Sequence, residues 1–304
     1  MRKLATAVAL FTLAVSLAFA GEITGYNTVT GNGTGGATGF VCNVEAVTNG
    51  VGDPNILTAP ESGKLITNEG ATALTYNTLP TAASGAWFRI YVQDADGIRV
   101  TCGADDTIRI DGIESSAAGY MESTTAGSGM IVTAINATEW VVTTMPAGSR
   151  AEWNVDGTPT GFGASGSFWF STPSATANGV NDIVKAAGTT TAIGAPRAFT
   201  HSGTNRLTYN GLKTIKFLVT VSVSVTKASG GSTLAGLTLL EGGSAVTGVI
   251  VDRQVGNVDE GAWGVTAEVE LATDEYIELG CRSSTGDDLT VESGVLTITT
   301  SSVN

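Results

Sequence analysis

The sequence contains few side chains whose types and spacing could carry out a reaction. Its one histidine, His201, lies in a turn rich in Ser and Gly, and no G-x-S-x-G elbow is present to offer it a serine nucleophile. The paired carboxylates Asp105-Asp106 and Asp287-Asp288 are neighbours in turns, whereas glycoside hydrolysis needs two acids that face each other across a sugar. We therefore predict no catalytic residues and no enzymatic activity.

Metal and cofactor sites lack their usual patterns as well. Asp94, Asp96 and Asp106 could give oxygen ligands to calcium, but the sequence has no complete D-x-D-x-D-G loop. It also has no Walker loop, no G-x-G-x-x-G after a predicted strand and no C-x-x-C pair. We predict no cofactor and no metal site.

The three cysteines, Cys42, Cys102 and Cys281, cannot all pair within one chain. Their wide spacing and the single histidine exclude a zinc site. Two interpretations stay open. All three are small buried strand residues, or Cys42 and Cys102 form a disulfide within the first half of the chain, which requires an exported protein.

The charge balance excludes one class of partner. Lys and Arg number 15 against 28 Asp and Glu, which gives a formal net charge of -13. Binding to nucleic acid depends on neutralising phosphates with cationic side chains. We predict no nucleic-acid partner.

The N-terminal residues have the pattern of an export signal. Within residues 1–20, Arg2 and Lys3 precede an uncharged apolar run that ends in Ala18-Phe19-Ala20. This run falls short of the roughly 20 apolar residues that span a bilayer. We predict a signal peptide or an apolar anchor buried in an assembly, followed by a flexible arm over residues 21–39, which are mostly Gly, Thr and Asn.

The remaining chain consists of predicted strands, and one of them is long. In residues 214–227 nearly every second side chain is apolar, and only Leu218 breaks the alternation. Successive side chains of a strand leave on opposite faces, so this period of two excludes a helix. We predict the central strand of a β-sandwich, with these side chains facing the core: Phe217, Val219, Val221, Val223 and Val225.

Short apolar runs between turn residues fill residues 40–156, and longer, more regular runs follow Arg197. A chain of 304 residues exceeds the usual size of one core. The predicted fold class is all-β, with two β-sandwich or jelly-roll domains, residues 40–156 and 157–304, joined by a Gly/Ser/Thr-rich linker. Residues 94–97 and 241–244 are predicted hairpin turns, and the aromatics of residues 167–171 indicate a doubly buried strand or a contact with another chain.

Four stretches of the second half form a recognisable set: RLTYNG (206–211), KFLVTVSVS (216–224), VELATDEYIEL (269–279) and DLTVES (288–293). In their order and spacing they resemble the C1q/TNF-type jelly roll found on many bacteriophage virion proteins. The resemblance covers roughly the last hundred residues and departs at Glu275, where the pattern more often has Asp.

Five stretches stand out in the first half: FRIYV (88–92), DADGIRV (94–100), DTIRI (106–110), GYMEST (119–124) and INATEW (135–140). As a set they resemble a β-rich module common in phage tail and head-fibre proteins. None of these stretches is a catalytic signature.

Together the resemblances imply a structural protein of a virion surface, as a capsid decoration, head-fibre or tail-fibre component. Jelly rolls of this type bury one sheet face in a threefold interface, which implies a homotrimer, with Phe217, Trp263 and Tyr276 as candidate interface residues; each could instead belong to the core of its own domain. Other implied partners are capsid or tail proteins and a host-surface glycan. The signal-like N-terminus supports an alternative, an exported bacterial surface or secreted binding module.

Overall fold

Strands make up nearly all of the regular structure. The computed structural model describes residues 43–145, 151–227, 230–256 and 260–301, and within them the non-strand element with its own bounds is a short 3-10 helix, Ala59–Glu61. The prediction of an all-β fold is confirmed. No helix in these ranges is long and apolar enough to cross a membrane. The predicted signal segment, residues 1–20, and the predicted arm, residues 21–39, lie outside the described residues.

The first sandwich has two sheets. Sheet A has the order β1-β3-β5-β10-β11-β7-β8, and sheet B has the order β13-β12-β9-β6-β4-β2. The strands are β1 (Val44–Ala46), β2 (Asn55–Ile56), β3 (Leu65–Thr67), β4 (Thr75–Thr78), β5 (Trp87–Tyr91), β6 (Ile98–Thr101), β7 (Thr107–Ile110), β8 (Ile113–Glu114), β9 (Tyr120–Ser123), β10 (Gly129–Ala134), β11 (Glu139–Met145), β12 (Asn154–Val155) and β13 (Thr158–Pro159).

Its first six strands wind in one direction between the two sheets. β1, β3 and β5 pair in parallel in sheet A, and β2, β4 and β6 pair in parallel in sheet B. The turn at Asp94 to Gly97 therefore passes from one sheet to the other. The prediction of a hairpin there is wrong, because the turn residues favour a reversal of the chain but do not determine which strand the chain pairs with next.

The side chains between sheets A and B form a closed hydrophobic core. Phe88, Ile90, Met121, Trp140 and Trp153 have no exposed surface. These residues come from strands of both sheets and from the segment before β12, so the core ties the parallel windings to the antiparallel strands that follow. Burial of large aromatic side chains is the main stabilising term for such a sandwich.

The second sandwich is a jelly roll of longer strands. Sheet C has the order β17-β14-β26-β20-β24, with β15 also paired to β26; sheet D has the order β18-β19-β25-β21-β22, with β16 also paired to β25 and β23 to β21. The strands are β14 (Ser165–Pro173), β15 (Ala175–Thr176), β16 (Val184–Lys185), β17 (Gly188–Ala192), β18 (Phe199–His201), β19 (Leu207–Tyr209), β20 (Ile215–Lys227), β21 (Thr233–Glu241), β22 (Ser244–Ala245), β23 (Val251–Val255), β24 (Gly261–Leu271), β25 (Tyr276–Ser283) and β26 (Leu289–Thr300).

The long alternating stretch forms β20, inside sheet C between β26 and β24. Phe217, Val219 and Val221 face the core, as predicted, and Phe217 packs edge-on against Phe199 and Tyr209. The predicted hairpin at residues 241–244 is also confirmed, since Glu241 pairs with Ser244 across a two-residue turn.

The Gly/Ser/Thr-rich stretch after residue 156 is mostly strand. It contains β13 to β17, and the connection between the sandwiches is only residues 160–164. The first core ends in sequence at Val155 and the second begins at Phe162, while Asn43–Asn304 form one compact unit. A division into two independently folding domains near residue 156 stays a prediction.

Backbone contacts fix this connection against the loop after β19. The N–H of Leu212 donates to the carbonyl of Pro159 (3.0 Å), and the N–H of Lys213 donates to the carbonyl of Thr160 (3.3 Å). A side-chain ion pair between Arg197 and Glu152 (2.7 Å) adds a link between the segments before β18 and before β12. Gly161 has a φ of +95°, and a Cβ there would lie 1.9 Å from the hydroxyl oxygen of Tyr209. Only glycine fits at this position, both for the conformation and for the space.

Candidate subunit interface

The face of sheet C that points away from the core has an unusual composition. Its exposed large apolar side chains are Trp169 on β14 (44% exposed), Leu218 on β20 (42% exposed) and Val295 on β26 (39% exposed). Lys216, Glu268 and Glu270 also project from this face, at the end of β20 and β24 that includes Leu218. The positions beside Trp169 and Val295 are small and uncharged. We call this set the outer face of sheet C; it comprises Ser167, Trp169, Leu218, Thr220, Ser222, Gly264, Thr266, Val295 and Thr297.

The register grades this face from large to small side chains. Trp169 lies opposite Val295, Val295 lies opposite Ser222, and Ser222 lies opposite Gly264. A Cβ at position 264 would come within 2.5 Å of the carbonyl oxygen of Val221, so the row ends on a residue that must lack a side chain. Along this row the β14–β26 side therefore forms an apolar ridge and the β20–β24 side a shallow trough, while Leu218 and Glu268 project further along β20 and β24.

Charged groups lie at the margins of this face. At one end Lys216 pairs with Glu268 at 3.5 Å, with both side chains more than half exposed, and Glu268 lies directly opposite Leu218. At the other end Ser224 donates a hydrogen bond to Glu260, and Thr226 donates one to Glu292. Contact between two such faces would therefore desolvate few charges, which is the main cost of burying a polar surface.

The structure corrects the prediction for Phe217 as an interface residue. Its side chain has no exposed surface and contacts Phe199 and Tyr209 inside the second sandwich. A second chain cannot reach it. The alternation of β20 determines this position, because odd-numbered residues of the strand point inward.

The other two predicted interface residues lie apart from each other and from the outer face of sheet C. Trp263 is on the core side of β24, partly buried, with Arg253 6.0 Å from its ring. Tyr276 is at the start of β25 in sheet D, with the guanidinium of Arg206 3.8 Å from its ring. The structure thus does not bring Phe217, Trp263 and Tyr276 together, and a role for the last two at an interface stays a prediction.

Sequence reasoning missed Trp169, Leu218 and Val295. Two of them carried a signal, since Leu218 is the single break in the alternation of β20 and Trp169 is the middle aromatic of the 167–171 run. In that run Phe168 and Phe170 face the core while Trp169 faces outward. No feature of the sequence marks Val295 as an outward-facing residue, because a single valine in a strand is common on either face.

The cysteines are partly accounted for. Cys102 and Cys281 are both buried and form no disulfide with each other, and Cys102 Sγ lies 3.0 Å from the carbonyl oxygen of Asp106 and 3.1 Å from that of Gly119. Burial raises the pKa of each thiol to about 11, which keeps both protonated at neutral pH. Cys42 lies outside the described residues, so its disulfide with Cys102 stays a prediction.

The residues considered for chemistry hold the fold in place. His201 Nε2 lies 2.8 Å from the hydroxyl of Thr190, which also accepts the N–H of Asn205, and burial lowers the pKa of His201. Asp106 accepts the N–H of Ala82 (2.8 Å), and Asp287 pairs with Lys227 (2.5 Å). In the part of the chain that the structure describes, no three His, Cys, Asp or Glu side chains are grouped to hold a metal ion.

A cleft of about 500 Å³ opens between the two sandwiches. It is lined by the β7–β8 turn at Asp111 to Glu114 and by Leu212, Lys213 and Thr214. The ammonium of Lys213 is used within the protein, since it lies 3.3 Å from the carbonyl oxygen of Asp111 and 4.8 Å from the ring of Phe162. We assign no ligand to this cleft.

Comparisons with known proteins give no family. No family model and no curated protein matches the chain. Among solved structures the chain is similar to Eiger TNF from S. frugiperda (10% identity over 47% of this chain and 94% of that chain, TM-score 0.31), to murine APRIL at pH 5.0 (10% identity, 45% and 98%, TM-score 0.31), and to the globular domain of zebrafish complement 1qA (9% identity, 47% and 99%, TM-score 0.29). The description of the second sandwich rests on its own strand order and register.

Proposed function

We propose that this protein is a structural subunit that forms a homotrimer through the outer face of sheet C. The observation that carries the proposal is the set of partly exposed Trp169, Leu218 and Val295 on one face of sheet C, where the positions beside Trp169 and Val295 are small and uncharged. Covering the exposed part of each of them would contribute about 1 kcal/mol per side chain. Exposed apolar patches of this kind mark protein interfaces.

The grading of the face is compatible with a ring of subunits. A head-to-tail contact places the Trp169–Val295 ridge of one chain on the Ser222–Gly264 trough of the next, and such a contact forms a ring where its rotation closes. A twofold axis parallel to the strands would also place each ridge on the partner's trough, so the mass in solution decides between a dimer and a ring. The ring size of three comes from the resemblance of residues 206–293 to C1q/TNF-type jelly rolls.

We further propose that the trimer is part of a phage virion surface, as a capsid decoration, head-fibre or tail-fibre component. The motifs shared with phage proteins in both halves of the chain support this role. The net charge of -13 supports a soluble, outward-facing subunit that does not bind packaged nucleic acid. Capsid or tail proteins are the partners that this role requires, and a host-surface glycan is a further candidate.

Measurement of mass in solution tests the trimer. Light scattering should give three times the chain mass of 30.8 kDa, and Leu218→Lys should shift the mass toward that of one chain because it replaces an apolar contact of the proposed interface with a charge. The matched control is Leu234→Lys, a similarly exposed leucine on β21 in sheet D, which should leave the mass unchanged. A monomeric unmodified protein at micromolar concentration would contradict the proposal.

One observation favours a second candidate, an exported surface or secreted binding module. Residues 1–20 match a signal peptide, which virion proteins assembled in the cytoplasm do not need. Mass spectrometry of the native N-terminus separates the two. A mature chain that starts at Gly21 supports export, and an intact Met1 in purified particles supports the virion role.

A further inference from the structure

A buried carboxylate in sheet D is shared by two cations. Glu278 lies on β25 with its side chain 3% exposed, and its Oε1 accepts both Lys185 Nζ (2.6 Å) and Arg206 Nε (2.7 Å). Lys185 is on β16 and Arg206 directly precedes β19, and both of these strands pair with β25 along the same edge. The topology of the sheet therefore brings the two cations together.

In this cluster two cations share one carboxylate, whereas the other ion pairs of the described residues have one or two carboxylates for each cation. Among the ion pairs of the described residues, Lys64 and Arg109 each contact two carboxylates, and the other cations contact one. Glu278 is the carboxylate in this set that two cations share. The cluster thus has one positive charge in excess, in a chain whose formal charge is -13.

The two cations have donors that Glu278 does not use. The guanidinium of Arg206 stacks on Tyr276 at 3.8 Å and uses only Nε toward Glu278, so its two Nη groups donate to no acceptor among the described residues. Lys185 uses one of its three N–H donors. Both side chains are about one third exposed, so a ligand can reach them.

We propose that Lys185 and Arg206 form a binding site for a carboxylate-bearing ligand, the chemical class that includes acidic sugars. The planar fork of an arginine matches the two oxygens of a carboxylate, and a neighbouring ammonium adds a third charge-assisted donor. Glu278 fixes both cations before the ligand arrives, which lowers the entropy cost of binding. The site lies in sheet D and does not depend on assembly through sheet C.

Ligand-observed saturation-transfer NMR on the full chain, at low ionic strength, tests the site with sodium glucuronate and with glucose as the neutral probe. We expect transfer to glucuronate and not to glucose. The transfer should fall several-fold in Arg206→Gln and in Lys185→Gln, each of which leaves Glu278 with one cation. The matched control is Arg282→Gln, since Arg282 lies on the same strand but pairs one to one with Asp252.

The control variant should keep the wild-type signal. Equal transfer to glucuronate and glucose in the unmodified protein would overturn the proposal without any variant. Equal glucuronate signals in the unmodified protein, Arg206→Gln and Lys185→Gln would also overturn it. Neither result depends on the oligomeric state, which light scattering reports separately.

Discussion

At the scale of single residues, buried polar groups hold the turns and edges of both sandwiches. Asn68 has no exposed surface and accepts the N–H groups of Gln93 and Asp94. Asn205 joins the end of β16 to β25: its amide nitrogen donates to the carbonyls of Ala186 and Leu279, and its amide oxygen accepts the N–H of Leu279. These side chains take the place of ladder hydrogen bonds where the strands are interrupted. Without them, buried backbone N–H and C=O groups would lack a partner, which costs free energy.

Replacement of Glu278 tests the strongest of these groups. Glu278→Gln leaves two cations without a counter-charge, so we expect a loss of about 2 kcal/mol or more in the free energy of unfolding. Denaturant unfolding measures it. Glu268→Gln is the control, because its pair with Lys216 is exposed, and it should cost no more than about 0.5 kcal/mol. Similar losses for both variants would contradict a special role for the buried carboxylate.

His201 gives a prediction on pH. Burial lowers its pKa in the folded protein below the ordinary 6.5, so the unfolded chain binds the proton more tightly. The contribution of His201 to stability is therefore complete above pH 6.5 and is lost as the pH falls below that value. Thermal unfolding of the unmodified protein and of His201→Gln at pH 7.5 and at pH 5 should show a larger acid loss in the unmodified protein. Parallel losses would exclude the effect.

At the scale of elements, the stretch after residue 156 has the amino-acid composition of a linker but forms strands of the second sandwich. Gly, Ser and Thr predict a linker, yet β14 in this stretch is an interior strand of sheet C, paired with β17 and β26. Small side chains are tolerated there because the partner strands supply the bulk. Gly166, for example, lies against the side chain of Leu207 from the opposite sheet.

Gly161 in the connection is the most restrictive position of this kind. Gly161→Ala places a methyl group on the hydroxyl of Tyr209 and forces alanine into a positive φ, so we expect a loss well above the roughly 1 kcal/mol of the conformational effect alone. Gly70→Ala is the matched control, with a φ of +76° and open space around the added Cβ. Chemical denaturation should therefore rank Gly161→Ala as clearly more damaging, and equal losses would show that the close contact relaxes freely.

At the scale of the whole molecule, the acidic chain must assemble against its own repulsion. Each chain carries a formal charge of -13, and on the outer face of sheet C the positions beside Trp169 and Val295 are uncharged. Added salt therefore screens the electrostatic repulsion between the chains, while it weakens few attractive ion pairs across the interface.

We therefore expect the proposed trimer to become more stable as salt increases. Sedimentation equilibrium in about 20 mM and about 500 mM NaCl should give tighter association at the higher concentration. Weaker association at high salt would mean that ion pairs hold the subunits, and the interface would then have to include charged margins such as Lys216 and Glu268.

Much of the fold could be predicted from local pattern. The period of two in residues 214–227 was sufficient to place β20 and its core-facing side chains, because the geometry of a strand alternates regardless of its partners. The double-glycine hairpin at residues 241–244 was equally local. The parallel winding of β1 to β6 could not be predicted, because parallel pairing joins strands that a turn sequence does not link.

The sequence by itself determined that this protein is all-β, acidic and poor in catalytic groups, since alternation, turn residues and charge are properties of neighbouring residues. Only the tertiary structure decided which exposed groups share a surface. It placed Trp169, Leu218 and Val295 on one face, Phe217 in the core, and Lys185 and Arg206 on one carboxylate. The physical reason is that each of these sets joins strands far apart in the chain, and the pairing register that aligns them is decided by the packing of the whole sandwich.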